Sequence, residues 1–386
     1  MQCKHTAVLC ALIILCMFHP VYSCAEESKP ILMDQGVDLP GGSVHFPTLT
    51  QFPDEKLSTQ IQQSILAAGN IKSYLAALPV LNHEENKLDV SWRGFLQRDL
   101  LSIWFHASGD AVSNQPPHRW MSLSVDLSDG HTVQLNELFK DWTQTATFLT
   151  QYLTEQVSPS LSAHLQNTQI VPVPDMFYLS EAGITLLYPF DQLSTLADRS
   201  GAVTIDWGTL SPYLQLEPGS LLARSGLDAM VTLSESSAER LLHDATEGKL
   251  SGLPIQLGEP VQPLIDRYHL LVDPDLYDSG RMVLLDDALF RDIWLLTDKL
   301  SDSFENSVIQ GIRMDRGCLW GISIGQTTLT DWRTVFGEPE SSFSLDEEEA
   351  EASRLVPGTS DYYQAGPHQL RFHADDDGIL RTIILQ

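Results

Sequence analysis

A chain of 386 residues with a 43 % hydrophobic share is too long for one small core and too apolar to stay disordered, so two or three domains are expected. Its 51 acidic and 23 basic residues leave a formal net charge of -28. That balance disfavours nucleic acid and anionic membrane as partners, favours cationic ligands or divalent ions, and helps keep a chain in solution.

Residues 1–25 read as an export signal. Lys4 supplies one positive charge, an apolar run spans Ala7 to Phe18, and small residues follow at Ser23 and Ala25. The run is too short for a spanning helix. Cleavage after Ala25 would release a soluble protein starting at Glu26. Val21-Tyr22-Ser23-Cys24 also resembles a lipobox, in which Cys24 is acylated and anchors the chain. The expected location is therefore outside the cytoplasm, in the periplasm or cell envelope, with membrane contact only through such a lipid. Residues 26–42 read as a linker. Cys3, Cys10 and Cys16 leave with the signal and Cys24 is either lost or lipidated, so Cys318 stays unpaired between apolar neighbours, as a buried, inert thiol.

Residues 43–215 read as an α+β domain, an antiparallel sheet with helices on one side. Val44, Phe46 and Leu49 suggest a short strand broken at Pro47. Asp54 precedes a helix with Leu57, Ile61 and Ile65 at four-residue spacing, and a second helical piece carries Ile71, Tyr74 and Leu78. Leu88-Val90-Trp92, Leu101-Ile103-Phe105 and Met121-Leu123-Val125-Leu127 alternate with polar residues, as half-buried strands do. Ser128-Asp129-Gly130 reads as a turn, with 131–135 returning as its hairpin partner. Asn136 is placed to cap a short helix with Leu138 and Phe139, and a longer helix runs from Phe148 to Val157, stopped by Pro159. Hairpin strands follow at 176–179 and 184–188, and another strand at 202–207.

Residues 216–250 read as a connector and a helix with Ser236 and Glu239 as a capping box. The remainder reads as small α/β modules at 251–316 and 317–386. Ile255-Gln256-Leu257-Gly258 opens one and Ile322-Ser323-Ile324-Gly325 the other, each followed by a helix and strands in a repeat-like pattern.

Gly321-Ile322-Ser323-Ile324-Gly325 matches the nucleophile-elbow formula, with Asp361 and His368 downstream. Only Cys318 to Trp320 remain for the incoming strand, so a turn with Ile322 and Ile324 in the core is the better reading. Asp273, Asp275 and Asp278 before Gly280, and Asp375 to Asp377 before Gly378, lack the full ligand set of a calcium loop and read as Asp-Gly turns. The acidic run Asp346 to Glu351 reads as a solvated insertion in a long loop. No metal-ligand spacing among the His residues and no glycine-rich phosphate loop occurs, so no cofactor or metal is expected.

Val44-His45-Phe46-Pro47, Asp99-Leu100-Leu101-Ser102-Ile103, Val125-Asp126-Leu127 with Asp129-Gly130, Leu135-Asn136-Glu137-Leu138-Phe139 and Phe177-Tyr178-Leu179 with Gly183-Ile184 form an ordered set. In this order they resemble the extracytoplasmic domain of unknown function found in the anti-sigma factor RsiV and beside peptidoglycan deacetylases. The resemblance covers slightly under half of the chain. It implies an outward-facing sensor domain, with lysozyme as the known ligand type. Members commonly carry a Gly-Gly-Ala-His type loop; here Gln115-Pro116-Pro117-His118-Arg119-Trp120 keeps only the His. Ile322 through Pro339 looks like small exported modules of the BamE type, which implies an envelope module without a catalytic centre.

The expectation is a non-enzymatic cell-envelope protein that binds a cationic protein or a cell-wall component. Its ligand face would lie on the loop with His118, Arg119 and Trp120, an aromatic beside a cation on a rigid sheet. The alternatives are a hydrolase of envelope polymers with Ser323 as nucleophile, or a scaffolding lipoprotein anchored through Cys24.

Overall fold

The computed structural model of the protein describes residues 29–81, 88–109, 118–156, 173–188, 202–273, 280–286, 293–298, 304 and 306–386. The proposed signal with Cys24, the end of the helix at Val157 and Pro159, the segment 115–117, and Asp275 with Asp278 lie outside these residues.

The chain opens with a hairpin of β1 (Ile31–Leu39) and β2 (Gly42–Thr50), in register from Ile31↔Thr50 to Leu39↔Gly42. The expected linker thus contains a nine-residue strand. Nor does Pro47 break β2. The Leu49 amide donates to Gln62 Oε1 (3.0 Å) and the Pro47 carbonyl accepts from Gln62 Nε2 (3.1 Å), so this edge of β2 faces away from β1. The N–H that Pro47 lacks would point to that same edge and is not needed by the hairpin.

Next come α1 (Glu55–Ala68) and α2 (Ile71–Ala77), and then β3 (Leu88–Gln97), β4 (Leu100–Ser108) and β5 (His118–Asp126). Asp54 caps α1 by accepting from the Leu57 amide. β2 and β3 are parallel neighbours and the other pairs are antiparallel, giving the order β1-β2-β3-β4-β5. A parallel pair needs a crossover, which α1 and α2 supply. Their buried Ile61, Ile65, Ile71 and Tyr74 pack with Val44, Leu101, Ile103, Phe105 and Val125.

The opposite face was expected to be solvated. Instead Ser102, Ser124 and Asp126 are buried there. The expected hairpin return at 131–135 shrinks to a bridge between Val125 and Thr132, and the short helix expected with Leu138 is a 3-10 turn at Leu135–Leu138. Gln134, not Asn136, occupies its N-cap position. After α3 (Trp142–Gln156), strands β6 (Phe177–Leu179), β7 (Gly183–Leu187) and β8 (Ala202–Asp206) form a three-stranded sheet. It covers the second face: the Leu179 amide donates to Ser102 Oγ (2.9 Å), which lies 2.8 Å from Ser124 Oγ. Pairing the hydroxyls with each other and with an amide removes the cost of burying them.

Short helices α4 (Trp207–Leu210), α5 (Leu221–Arg224) and α6 (Asp228–Val231) lead to α7 (Glu235–Thr246). Ser234 caps α7 by accepting from the Ser237 amide, so the helix starts earlier than the Ser236 and Glu239 box would place it. Arg224 ties α5 to the first sheet through Asp126 (2.5 Å) and Asp99 (3.2 Å).

The C-terminal portion contains α8 (Gln262–Arg267), β9 (His269–Val272), β10 (Met282–Asp286), β11 (Ile293–Thr297), β12 (Ile309–Met314), β13 (Cys318–Leu319), β14 (Ile322–Ser323), α9 (Leu329–Phe336), β15 (Ser341–Leu345), α10 (Glu347–Ala352), β16 (Gly358–Ala365), β17 (His368–Asp375) and β18 (Leu380–Leu385). Two four-stranded meanders, each led by a helix, join through their last strands in one eight-stranded sheet, β15-β16-β17-β18-β12-β11-β10-β9. Ile312 faces Leu385 and Met314 faces Ile383 at that seam. The expected division at 316 and 317 therefore falls within a single sheet. The acidic run also differs from the expected loop. Asp346 and Glu349 form a capping box, Glu347 to Glu349 sit in the first turn where the helix dipole favours them, and Ala350 is fully buried.

One continuous core links Phe95, Leu100 and Trp104 of the first sheet with Tyr178 and Ile205 of the second and Ile312, Phe372 and Ile383 of the third. The architecture is α+β, and its three larger sheets share burial across the boundaries expected near 215 and 250.

Candidate functional site

The segment His118-Arg119-Trp120 is the start of β5 and not a loop: His118 pairs with Ser108, Arg119 with Ala107 and Trp120 with His106. Side chains alternate across a strand, so Arg119 and Trp120 project to opposite faces of the sheet and cannot form one anchor. What surrounds Trp120 comes from the neighbouring strands. Its ring lies 4.4 Å from His106 and meets Trp104 edge-on at 4.8 Å. Trp104 lies 5.9 Å from Tyr178 of β6.

The cation on this face is Arg93, the cross-strand partner of Trp104. Its guanidinium lies 5.6 Å from the Trp104 ring and 5.9 Å from that of Tyr268, which precedes β9. Burial holds the Tyr178 phenol above its ordinary range, so it stays neutral, although Arg93 pulls the other way. Trp104 is buried while Trp120 is only partly so. The result is an aromatic row backed by the core, with Arg93 bridging the first sheet and the third. Trp104, Tyr178 and Tyr268 are buried beneath the second and third sheets, so the groups of this row that solvent reaches are Trp120, His106 and Arg93, each only partly exposed.

Arg93, Trp104, His106 and Tyr268 were not singled out from the sequence. The signal was present in β4, where Leu101, Ile103 and Phe105 alternate with Ser102, Trp104 and His106. A tryptophan and a histidine on the nominally polar side mark a second face that is packed over and not simply solvated.

The other candidates resolve into structural roles. Ser323 is buried; its amide donates to Thr327 Oγ1 (2.8 Å), and a Cβ on Gly208 of α4 would lie 1.9 Å from its oxygen. The incoming strand is only Cys318–Leu319, and α9 starts at Leu329, so the strand-Ser-helix geometry of an elbow does not form. Asp361 is committed elsewhere. Its fully buried carboxylate accepts from Arg333 Nε and Nη2 (both 2.7 Å), Trp332 Nε1 (3.0 Å) and Ser342 Oγ (2.7 Å). These bonds hold it below the usual carboxylate range against the opposing effect of burial.

Asp273 pairs with Arg354. Asp375 accepts from the Ile379 amide (2.8 Å) and Arg381 (2.6 Å), fixing the turn before β18. Burial pushes the Cys318 thiol up to about 11. It lines a cavity of about 50 Å³ between the second and third sheets, together with Thr204, Asp206, Leu253 and Met314. Among the described residues, no group of three or more His, Cys, Asp or Glu side chains is placed to hold a metal, and no helix is long and apolar enough to cross a membrane.

No family model matches the chain, and no curated protein matches it. Among solved structures it is similar to BF2082 from Bacteroides fragilis, a member of the DUF3298 family, at 14% identity over 50% of this chain and 96% of that one, with a TM-score of 0.34. A second DUF3298 family protein, PA4972 from Pseudomonas aeruginosa, is 13% identical over 50% of this chain and 95% of its own, with a TM-score of 0.33. YjgB from Bacillus subtilis, a DUF4309 family protein, is 12% identical over 40% of this chain and 97% of its own, with a TM-score of 0.28. DUF3298 is the RsiV-like domain family that the first half resembles in its sequence pieces; the BamE likeness of residues 322–339 rests on sequence pattern alone.

Proposed function

We propose that this chain is a non-catalytic protein of the cell envelope that recognises a cationic protein or a cell-wall component on the face carrying Trp120. The observation behind this reading is the row Trp120-His106-Trp104 with Arg93 on one face of the first sheet. A formal charge of -28 adds long-range attraction for a basic partner. Export through residues 1–25, and either release at Glu26 or acylation of Cys24, belong to the same reading.

The test is a pull-down with purified chain against insoluble peptidoglycan and against lysozyme as a cationic probe, at low and high salt. Trp120→Ala is expected to weaken binding roughly thirtyfold, the loss typical of a buried aromatic anchor, while Arg119→Ala on the opposite face leaves it intact. Equal losses from the two substitutions, or binding to neither probe, would sink the assignment. Mass spectrometry of the mature N-terminus decides between a free Glu26 and an acylated Cys24.

A further inference from the structure

No described element covers the outer edge of β1, and one face of that strand is an exposed apolar stripe. Ile31, Met33, Val37 and Leu39 are 43%, 55%, 41% and 40% exposed. Long flat edges are normally blunted by a proline, a bulge or charged side chains, lysine above all. β1 has no proline, lysine or bulge, and its pairing with β2 is regular from end to end. Its two charges, Asp34 and Asp38, alternate with the apolar stripe and so lie on the other face.

The direction of its backbone groups follows from β2. Leu49 and Pro47 turn their amide and carbonyl toward Gln62, away from the hairpin. Their partners Leu32 and Asp34 therefore point theirs to the open edge, and by alternation so do Gly36 and Asp38. The residues whose side chains form the apolar stripe are spent on β2. Hence any strand added at this edge must bond to Leu32, Asp34, Gly36 and Asp38.

The sequence of β1 is nearly symmetric about Gln35: Ile31 and Met33 precede it as Val37 and Leu39 follow it. We infer that β1 is a homodimerisation edge, pairing antiparallel with β1 of a second copy about a twofold axis through Gln35. In that register Leu32 faces Asp38 of the other copy and Asp34 faces Gly36, and each pair exchanges backbone hydrogen bonds. Ile31 meets Leu39 and Met33 meets Val37 as close, non-hydrogen-bonded pairs, which is where cross-strand side chains interact best.

Charge fits the same register. No carboxylate lies directly opposite another, and Asp34 is already engaged by His45 (2.8 Å) and Trp92 (2.6 Å). A shift by one residue would set the open-edge amides against groups spent on β2. A shift by two would place Met33 opposite Gln35. The twofold register is thus selected by hydrogen bonding and by apolar matching together.

The experiment is sedimentation of the full chain over a concentration series, with cysteine cross-linking read by mass spectrometry. A reversible dimer is expected. Met33→Lys with Val37→Lys should raise its dissociation constant roughly tenfold or more, as two apolar pairs become charged. Under mild oxidation Gln35→Cys should yield a position-35 to position-35 disulfide. Ile31→Cys mixed with Leu39→Cys should cross-link between chains, and Ile31→Cys alone should not. A chain that stays monomeric at every soluble concentration overturns the proposal. So does a dimer insensitive to the lysine pair and silent at position 35, or an edge that captures extended peptides but not a second copy.

Discussion

Arg333→Ala is the sharpest probe of what holds the third sheet together. Asp361 is completely buried beneath α9 and β15, and Arg333 supplies two of its four hydrogen bonds. Removing the guanidinium leaves a carboxylate out of water with only Trp332 and Ser342 as donors. Stranding one member of such a pair costs about 3–5 kcal/mol, a large part of the stability of an ordinary domain.

The pH dependence separates this loss from lost packing. In the native chain the Asp361 carboxyl is held low, so its stabilisation is present above the unfolded value of ~3.9 and fades only as pH falls through the folded value. Without Arg333, burial dominates and raises the carboxyl above its unfolded value. The variant's penalty is then present at neutral pH and relieved as acid protonates the group. Urea unfolding followed by circular dichroism should show a gap of about 3–5 kcal/mol at pH 7 that narrows toward pH 5. Arg333→Ala with Asp361→Asn should recover part of the loss. A gap below about 1 kcal/mol, or one that does not change with pH, would refute the reasoning.

Further expectations concern the hairpin, a tight turn and the thiol. Asp34 (2.8 Å) and Asp38 (3.2 Å) bracket the His45 ring and raise its value, so its support for β1 is full below ~6.5 and lost as pH rises through the raised value. NMR titration of the ring, with amide exchange in β1 corrected for intrinsic rates, checks this; His45→Gln should abolish the dependence. Gly183 adopts φ +153 and a Cβ there would lie 2.1 Å from the Ile205 carbonyl oxygen, so Gly183→Ala should cost more than about 2 kcal/mol in urea unfolding. Cys318 should resist a thiol reagent at pH 8 in the native state and react once urea unfolds the chain, read by mass at that peptide; rapid native labelling would contradict its burial.

Local periodicity made most of the fold legible. The alternation in β3, β4 and β5, the Ile61 and Ile65 spacing of α1, and the Glu181-Ala182-Gly183 turn all correspond to elements at those places. β1 was missed because Asp34, Gln35, Gly36 and Asp38 resemble a polar tether, although Ile31, Met33, Val37 and Leu39 alternate between them. The covering of the first sheet's second face was hidden because Ser102, Ser124 and Asp126 are buried through partners distant in sequence, Leu179 and Arg224. Pattern reading sees only neighbours. The same limit shaped the candidate site: Trp120 was visible as an aromatic beside a charge, but strand alternation sends Arg119 away. The cation of this row, Arg93, lies over Trp104 and could be found only by aligning three strands.

The seam between β12 and β18 has a consequence for the order in which the polypeptide can mature. During synthesis, β9 to β12 emerge well before residues 380–385, and until those arrive β12 presents an unsatisfied border. The central pairing of the largest sheet therefore waits for β18, and the nascent chain is open to mispairing in that interval.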